Sequence, residues 1–166
     1  ELVAASPDDT NLRCVCGLVQ LMLRRIETAC GPDQQLHGLC VDVLSILSLL
    51  ASAGTPFDVL WDAIAVLSDE ISNGNDDSYA AVSQLMAAAI NTIVAQGSLV
   101  TLLDGGRVLA VHARVQDALQ FLLSERLAFV ASRGLLPLFL RRHRGTDFNS
   151  FHGRQEAQHF YESALA

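Results

Sequence analysis

Apolar residues recur along the chain at the three- and four-residue spacing of helices, whereas apolar–polar alternation over four to eight residues is scarce. A turn-rich start at residues 6–10 precedes one apolar stripe that reaches about residue 29, and a second stripe covers residues 33–53. Gly54 and Pro56 end the second helix, and a third is predicted over residues 57–72. The pattern therefore predicts an all-α fold.

The most polar stretch of the chain, residues 73–78, predicts a mobile loop, and residues 1–10 are expected to be flexible. No charged residue occurs from Ser78 to Leu103, but polar residues interrupt this run too often for a membrane span. We therefore predict buried central helices, the first of them ending near Gly97. Further helices are predicted over residues 115–132, 135–143 and 148–163, with a break at residues 133–134.

Two interpretations apply to the stretch that follows Gly97. Residues 99–103 and 107–111 flank Asp104, Gly105 and Gly106, which is a hairpin signal. An isolated two-stranded hairpin is marginal in an otherwise helical domain, so a helix with an internal glycine pair is the preferred prediction. The hairpin remains the alternative.

Composition limits both the architecture and the chemistry. The 166 residues, 51% hydrophobic and 17% charged, suffice for one core and predict a single domain over residues 1–166. A net charge of −7 disfavours a nucleic-acid partner. All eleven basic residues are arginine, which excludes Schiff-base and phosphate-loop lysines.

Cysteine and histidine suggest no catalytic or metal site. The four cysteines lie at positions 14, 16, 30 and 40, within the first quarter of the chain, which favours reduced thiols over a disulfide framework. Cys14 and Cys16 point to opposite sides of a helix, and His37 with Cys40 supplies only two ligands. We predict a protein that is not an enzyme and holds no cofactor and no metal; an unrelated helical enzyme is the last alternative.

The third predicted helix carries an apolar stripe with a small residue and an acid near its end. On spacing alone it is a core helix. Its segment, residues 60–71, resembles the third homology motif of the Bcl-2 family of apoptosis regulators. The matching positions are Leu60, Ile64, Leu67, Ser68, Asp69 and Ile71.

A second resemblance lies about seventy residues further along. Residues 135–139 and 144–151 are similar to the second homology motif of the same family, in which a Pro-aromatic helix precedes glycine and two aromatic residues. Phe148 stands where tryptophan is usual. The matching positions are Pro137, Gly145, Phe148, Asn149 and Phe151.

The first homology motif of the family, Asn-Trp-Gly-Arg, has two candidate registers. One places it at residues 104–107, where the tryptophan is missing and Asp104 replaces the amide. The other takes Gly97 as the turn before the fifth helix, and the family arginine then falls near Leu102. Both registers remain open, with Arg107 preferred.

The resemblance implies a Bcl-2-like bundle of about seven or eight helices around a hydrophobic central helical hairpin. It also implies a surface groove that sequesters the homology-3 helix of pro-death Bcl-2 proteins, with Arg107 facing the partner's aspartate. The expected groove residues are Arg107, Gly106, Asp104, Val108, Val111, Leu85 and Ile93.

The eroded first motif is similar to that of Bcl-2-like proteins carried by large DNA viruses, and implies an apoptosis inhibitor. The expected location is the cytoplasm or the mitochondrial outer membrane of the host cell, with membrane contact only through a tail outside this sequence. A homodimer through the apolar groove is a further expectation. A pro-death member and a Bcl-2-fold scaffold for another signalling pathway remain the alternatives.

Overall fold

The structure, a computed structural model, describes residues 10–50, 54–68, 76–97 and 99–142. Helices make up most of these residues, which agrees with the helical class predicted from the sequence. The helix predicted over residues 148–163 lies outside the described residues. Of the segment predicted to be flexible, only Thr10 is described, and it is the first residue of a helix.

The first two helices follow the predicted stripes. Helix α1 covers Thr10–Cys30 and helix α2 covers Gln34–Leu49. Between them Gly31 takes a positive φ of 58°, and the Asp33 carboxylate accepts a hydrogen bond from the Leu36 amide at 2.9 Å. Residues 43–48 of α2 are all buried, so α2 lies at the centre of the core.

Helix α3 covers Phe57–Leu67 and helix α4 covers Asp76–Gly97. The loop prediction for residues 73–78 is wrong at its end, because residues 76–78 belong to α4; residues 73–75 lie outside the described residues. The prediction of a buried central helix is also wrong for α4. The polar residues Gln84, Asn91 and Gln96 face solvent, and only the opposite side is buried. An uncharged sequence need not be a buried one.

The preferred helix over residues 99–111 is wrong, and the alternative hairpin is present. Strands β1, Thr55–Pro56, β2, Thr101–Leu103, and β3, Val108–Ala110, form an antiparallel sheet in the order β1-β3-β2. Thr101 pairs with Ala110 and Leu103 with Val108, while Thr55 pairs with Leu109. The hairpin gains a third strand from a distant part of the chain, which removes the objection that two strands are marginal.

The predicted helix over residues 115–132 is divided. Helix α5 covers Ala113–Leu122 and helix α6 covers Ser124–Val130. The predicted break at residues 133–134 is absent, because a π-helical turn, Ala131–Leu135, continues into helix α7, Leu136–Arg142. Gly134 is buried there, and a Cβ on it would stand 3.0 Å from Leu67 Cγ. This glycine permits close packing on α3 rather than ending a helix.

The core is continuous and centres on α2, which packs against α1, α3, α4, α5 and α6. The resemblance implied a helical hairpin at the centre of the bundle; in the structure α2 lies at the centre of the core, and residues 101–103 and 108–110 form strands. Across the described parts of the chain, no helix combines the length and apolarity that crossing a membrane requires.

Candidate functional site

The hairpin turn places Arg107 beside the first turn of α3. The Arg107 carbonyl accepts a hydrogen bond from the Phe57 amide at 2.8 Å, and the Arg107 amide donates to the Asp104 carbonyl at 3.3 Å. Asp104, Gly105 and Gly106 all have positive φ, of 48°, 64° and 89°, which closes the turn tightly. Arg107 is therefore fixed by its backbone while its side chain is exposed.

Two adjoining shallow depressions lie at this point and share Phe57 and Asp58. One, of about 440 Å³, extends to Gly106 and Arg107. The other, of about 270 Å³, extends to Trp61 and to Ser83 on α4. We call the area formed by Phe57, Asp58, Trp61, Gly106 and Arg107 the Arg107 surface.

The Arg107 surface combines aromatic area with one cation. Phe57 is 38% exposed and Trp61 is half-buried. Within the described ranges, the Arg107 guanidinium has no carboxylate within ion-pair distance. An exposed guanidinium beside aromatic rings is suited to a carboxylate delivered on an apolar segment.

The structure does not bring all of the predicted groove residues together. Asp104, Gly106 and Arg107 are exposed together on the hairpin turn, and the half-buried Val108 follows them. Leu85 is half-buried on α4. The remaining two, Val111 and Ile93, are 2% and 1% exposed and pack inside the core, so they do not reach the Arg107 surface.

Phe57 and Trp61 belong to the site, although no sequence motif predicted them as site residues. Both lie on α3, four residues apart and so on one side of the helix, which is a signal that the sequence does contain. What the sequence does not show is that strand pairing between β1 and β3 brings this side of α3 next to Arg107. Leu102, the other candidate for the family arginine position, is exposed on β2 and carries no charge.

The homology-3-like stripe is part of the core. Leu60 and Ile64 are buried, and Leu67 packs against Gly134. Ser68, the C-cap residue after Leu67, has an extended backbone, so the prediction that this helix continues to residue 72 is wrong. Asp69 and Ile71 lie outside the described residues.

Of the positions that resemble the second homology motif, the structure describes only Pro137, which is half-buried on α7. The other four lie outside the described residues: Gly145, Phe148, Asn149 and Phe151.

Two glutamines on α5 bind the carboxyl end of α2. The buried Gln116 donates from Nε2 to the carbonyls of Leu47 and Leu50, at 2.8 and 2.6 Å. Gln120, one turn later, donates to the Ser48 carbonyl at 2.6 Å. Carbonyls at the end of a helix lack partners within that helix, so the glutamines replace a cap supplied by the local sequence.

An ion pair joins α2 to α6. Arg126 Nε and Nη2 donate to the two Asp42 oxygens at 2.5 and 2.9 Å, and the guanidinium lies 4.4 Å from the centre of the Phe129 ring. The hydrogen bond to Asp42 raises the pKa of Arg126. The two parallel hydrogen bonds and the Phe129 ring beside the guanidinium indicate a contact that stabilises the fold.

A thiol pair joins α1 to α2. The Cys30 and Cys40 sulfurs are 4.0 Å apart and buried, and the Cys40 thiol donates to the Ala89 carbonyl at 3.7 Å. Burial, with the neighbouring Cys30, raises the pKa of Cys40 to about 12, which keeps its thiol protonated and unreactive. Among the residues that the structure describes, no three histidine, cysteine or acidic side chains converge as metal ligands would.

Comparisons with known families, proteins and structures found no match to this chain. No protein-family model matches the chain, and neither a curated protein nor a solved structure matches it significantly.

Proposed function

We propose that this chain is a protein-binding domain, not an enzyme, that holds an amphipathic helix of a partner on the Arg107 surface. The partner we propose is the homology-3 helix of a pro-death Bcl-2 protein, which makes the chain an inhibitor of apoptosis. The observation that carries the proposal is the exposed guanidinium of Arg107 beside the side chains of Phe57 and Trp61.

The recognition follows from the shape and charge of this surface. Apolar side chains at helical spacing on the partner pack on Phe57 and Trp61, and a carboxylate between them reaches Arg107. Such a charged pair fixes the register of the helix more than it adds affinity. Asp104, exposed beside Arg107 on the hairpin turn, either competes with the partner's carboxylate or repels it, so the range of partners is narrow.

The resemblance supplies the biological setting of the proposal. The eroded first homology motif at residues 104–107 supports a virus-encoded inhibitor that acts in the cytoplasm of the host cell and at the mitochondrial outer membrane. Self-association through the same apolar surface is part of the proposal.

A second candidate function, a scaffold that binds a signalling protein outside apoptosis, is favoured by one observation. Strands occupy residues 101–103 and 108–110, where the resemblance implies a groove helix, and Val111 and Ile93 are core residues. The Arg107 surface is consequently shallower than a helix-lined groove. A pro-death role through release of α3 would require Leu60 and Ile64 to leave the core.

Titration calorimetry against a panel of homology-3 peptides tests the proposal. We expect one or a few peptides to bind with a Kd below about 1 μM, and Arg107→Ala and Phe57→Ala to weaken binding by about tenfold or more. Arg133→Ala, which removes an exposed arginine from the π-helical turn, is the matched control and should bind as the unmodified chain does.

Each other result has a defined meaning. Binding that survives Arg107→Ala and Phe57→Ala places the peptide elsewhere on the chain. Failure of every peptide to bind the folded protein refutes sequestration and leaves the scaffold. Permeabilisation of liposomes by the chain itself would establish the pro-death alternative.

A further inference from the structure

Helix α1 has a second apolar side that nothing in the described structure covers. Leu18 and Leu21, three residues apart and so adjacent on the helix surface, are 53% and 49% exposed. Arg25, four residues after Leu21, lies on the same side of the helix as the two leucines, and Arg24 lies beside Leu21. The opposite side of α1, which carries Val19, is the one that packs against α4 and α5.

A depression of about 570 Å³ adjoins these residues, between the second half of α1 and the end of α4. Leu21 stands at one side of it, and both arginines contribute to its wall. Its lining residues are Leu21, Arg24, Arg25, Thr28, Ala29 and Gln96. We call the surface formed by Leu18, Leu21, Arg24 and Arg25 the α1 stripe.

The α1 stripe is basic on an acidic protein. Neither Arg24 nor Arg25 has a carboxylate partner among the residues that the structure describes, although the chain carries a net charge of −7. Glu27, the nearest acid along the helix, lies roughly 160° around the axis from Arg25. It is a neighbour of Arg24, three residues earlier, but the two form no ion pair among the described residues. The two guanidiniums are therefore available to carboxylates from outside.

We infer that the α1 stripe binds an acidic amphipathic helix of a partner protein. Apolar side chains of that helix lie on Leu18 and Leu21, and its carboxylates pair with Arg24 and Arg25. The distance from Leu18 to Arg25 is about 10 Å along α1, so two turns of a partner helix can contact both the leucines and the arginines. Opposite charge on the two surfaces gives orientation and speeds association.

Two other occupants fit less well. A lipid surface takes an amphipathic helix with a large apolar side, whereas two leucines supply only a small one. A second copy of the chain, with two α1 helices antiparallel about Leu18 and Leu21, would place Arg25 opposite Cys14 and Arg24 opposite Val15, neither of which is an acidic residue. None of the α1 stripe residues belongs to the Arg107 surface, so this inference is independent of the proposed function.

The test uses a synthetic helical peptide with leucines on one side and glutamates beside them, and a matched peptide in which glutamine replaces glutamate. Fluorescence anisotropy with the whole chain measures binding, and backbone amide NMR shifts locate it. We expect the acidic peptide to bind, the neutral peptide to bind at least about tenfold more weakly, and the shifts to cluster in the second half of α1.

Variants assign the interaction to its residues. Arg24→Gln with Arg25→Gln should weaken binding of the acidic peptide by about tenfold, and Leu18→Ser with Leu21→Ser should do the same. Arg133→Gln with Arg141→Gln removes two exposed arginines elsewhere and should leave binding unchanged. All replaced side chains are exposed, and circular dichroism checks that each variant folds.

Several outcomes would overturn the inference. These are absence of binding, equal binding of the two peptides, and equal binding by the Arg24 and Arg25 variant. Binding to phosphatidylserine vesicles that is lost in that variant, with no peptide binding, would assign the stripe to a membrane. A dimer in sedimentation that Leu21→Glu dissolves would assign it to a second copy.

Discussion

Replacing Gln116 by alanine should lower the free energy of unfolding by about 3 kcal/mol. The Gln116 amide is 5% exposed and bridges two carbonyls at the end of α2, those of Leu47 and Leu50. Because α2 forms the centre of the core, its last turn cannot turn towards water to find other partners. Within the described residues, the substitution removes the side-chain donor of both acceptors, next to a space that alanine does not fill.

The magnitude follows from these contacts. Each of the two carbonyls that loses its donor costs about 1–2 kcal/mol, which together give about 3 kcal/mol. A loss of about 3 kcal/mol is a large share of the ~5–15 kcal/mol that stabilises a typical domain. It corresponds to a decrease in Tm of about 6–12 °C for a chain of this size.

Urea unfolding followed by circular dichroism measures the effect, with two control variants. Gln120→Ala removes a single bond from a more exposed side chain, to Ser48, and should cost only about 1 kcal/mol. Gln116→Leu keeps the volume without the donor and should be destabilised nearly as much as the alanine variant. A Gln116→Ala variant within about 0.5 kcal/mol of the unmodified chain would refute the reasoning.

Gln116→Glu adds a dependence on pH. A buried carboxylate facing two carbonyl oxygens is disfavoured, so its pKa in the folded state rises above the unfolded value of about 4.3. The folded state then binds more protons, and the stability of the variant relative to the unmodified chain falls as the pH rises from about 4.3 through the raised pKa. Below about pH 4 most of the deficit should disappear; a constant deficit from pH 4 to pH 8 would contradict the burial of this group.

Three further predictions concern other contacts. Asp42→Ala should lower the free energy of unfolding, measured in urea, by about 1–2 kcal/mol. Arg126→Lys should lower it by most of the same amount, because lysine cannot donate two parallel hydrogen bonds to one carboxylate. A lysine variant as stable as the unmodified chain would contradict this. With an aromatic disulfide reagent at pH 8, the exposed Cys14 should react in the native protein and Cys40 only after denaturation, because burial raises the pKa of Cys40 to about 12; mass spectrometry of the labelled peptides would show the order. Gly54→Ala should cost about 1–3 kcal/mol, since its φ of 131° is strained for any side chain and β3 leaves no room for a Cβ; thermal unfolding with an unchanged Tm would argue against it.

Features of the fold that depend on near neighbours in the chain follow from the sequence. The apolar period of α1 and α2 is visible in any window of three turns. The N-cap residue Asp33 lies only three residues before Leu36, whose amide donates a hydrogen bond to the Asp33 carboxylate. The start of α3 is set by Pro56 immediately before Phe57. Each of these signals acts within one or two turns of helix.

In the candidate site, too, some features follow from the local sequence and others depend on tertiary contacts. Arg107 is visible in the sequence, and residues 104–106 indicate a hairpin turn before it as an alternative to a helix. Phe57 and Trp61 join that turn only because β1 pairs with β3 across about fifty residues of chain. Sequence pattern therefore supplied the charge of the Arg107 surface, and strand pairing supplied its apolar part.

The sequence by itself determined the helical class of this protein, the starts of its first three helices within a few residues, and the position of Arg107. The tertiary structure alone decided between helix and hairpin at residues 99–111, because the stability of the hairpin depends on a third strand. It also decided that Gly134 continues a helix, since that outcome depends on Leu67 packing against it. Local periodicity records which side of a helix is apolar, but only packing determines what that side meets.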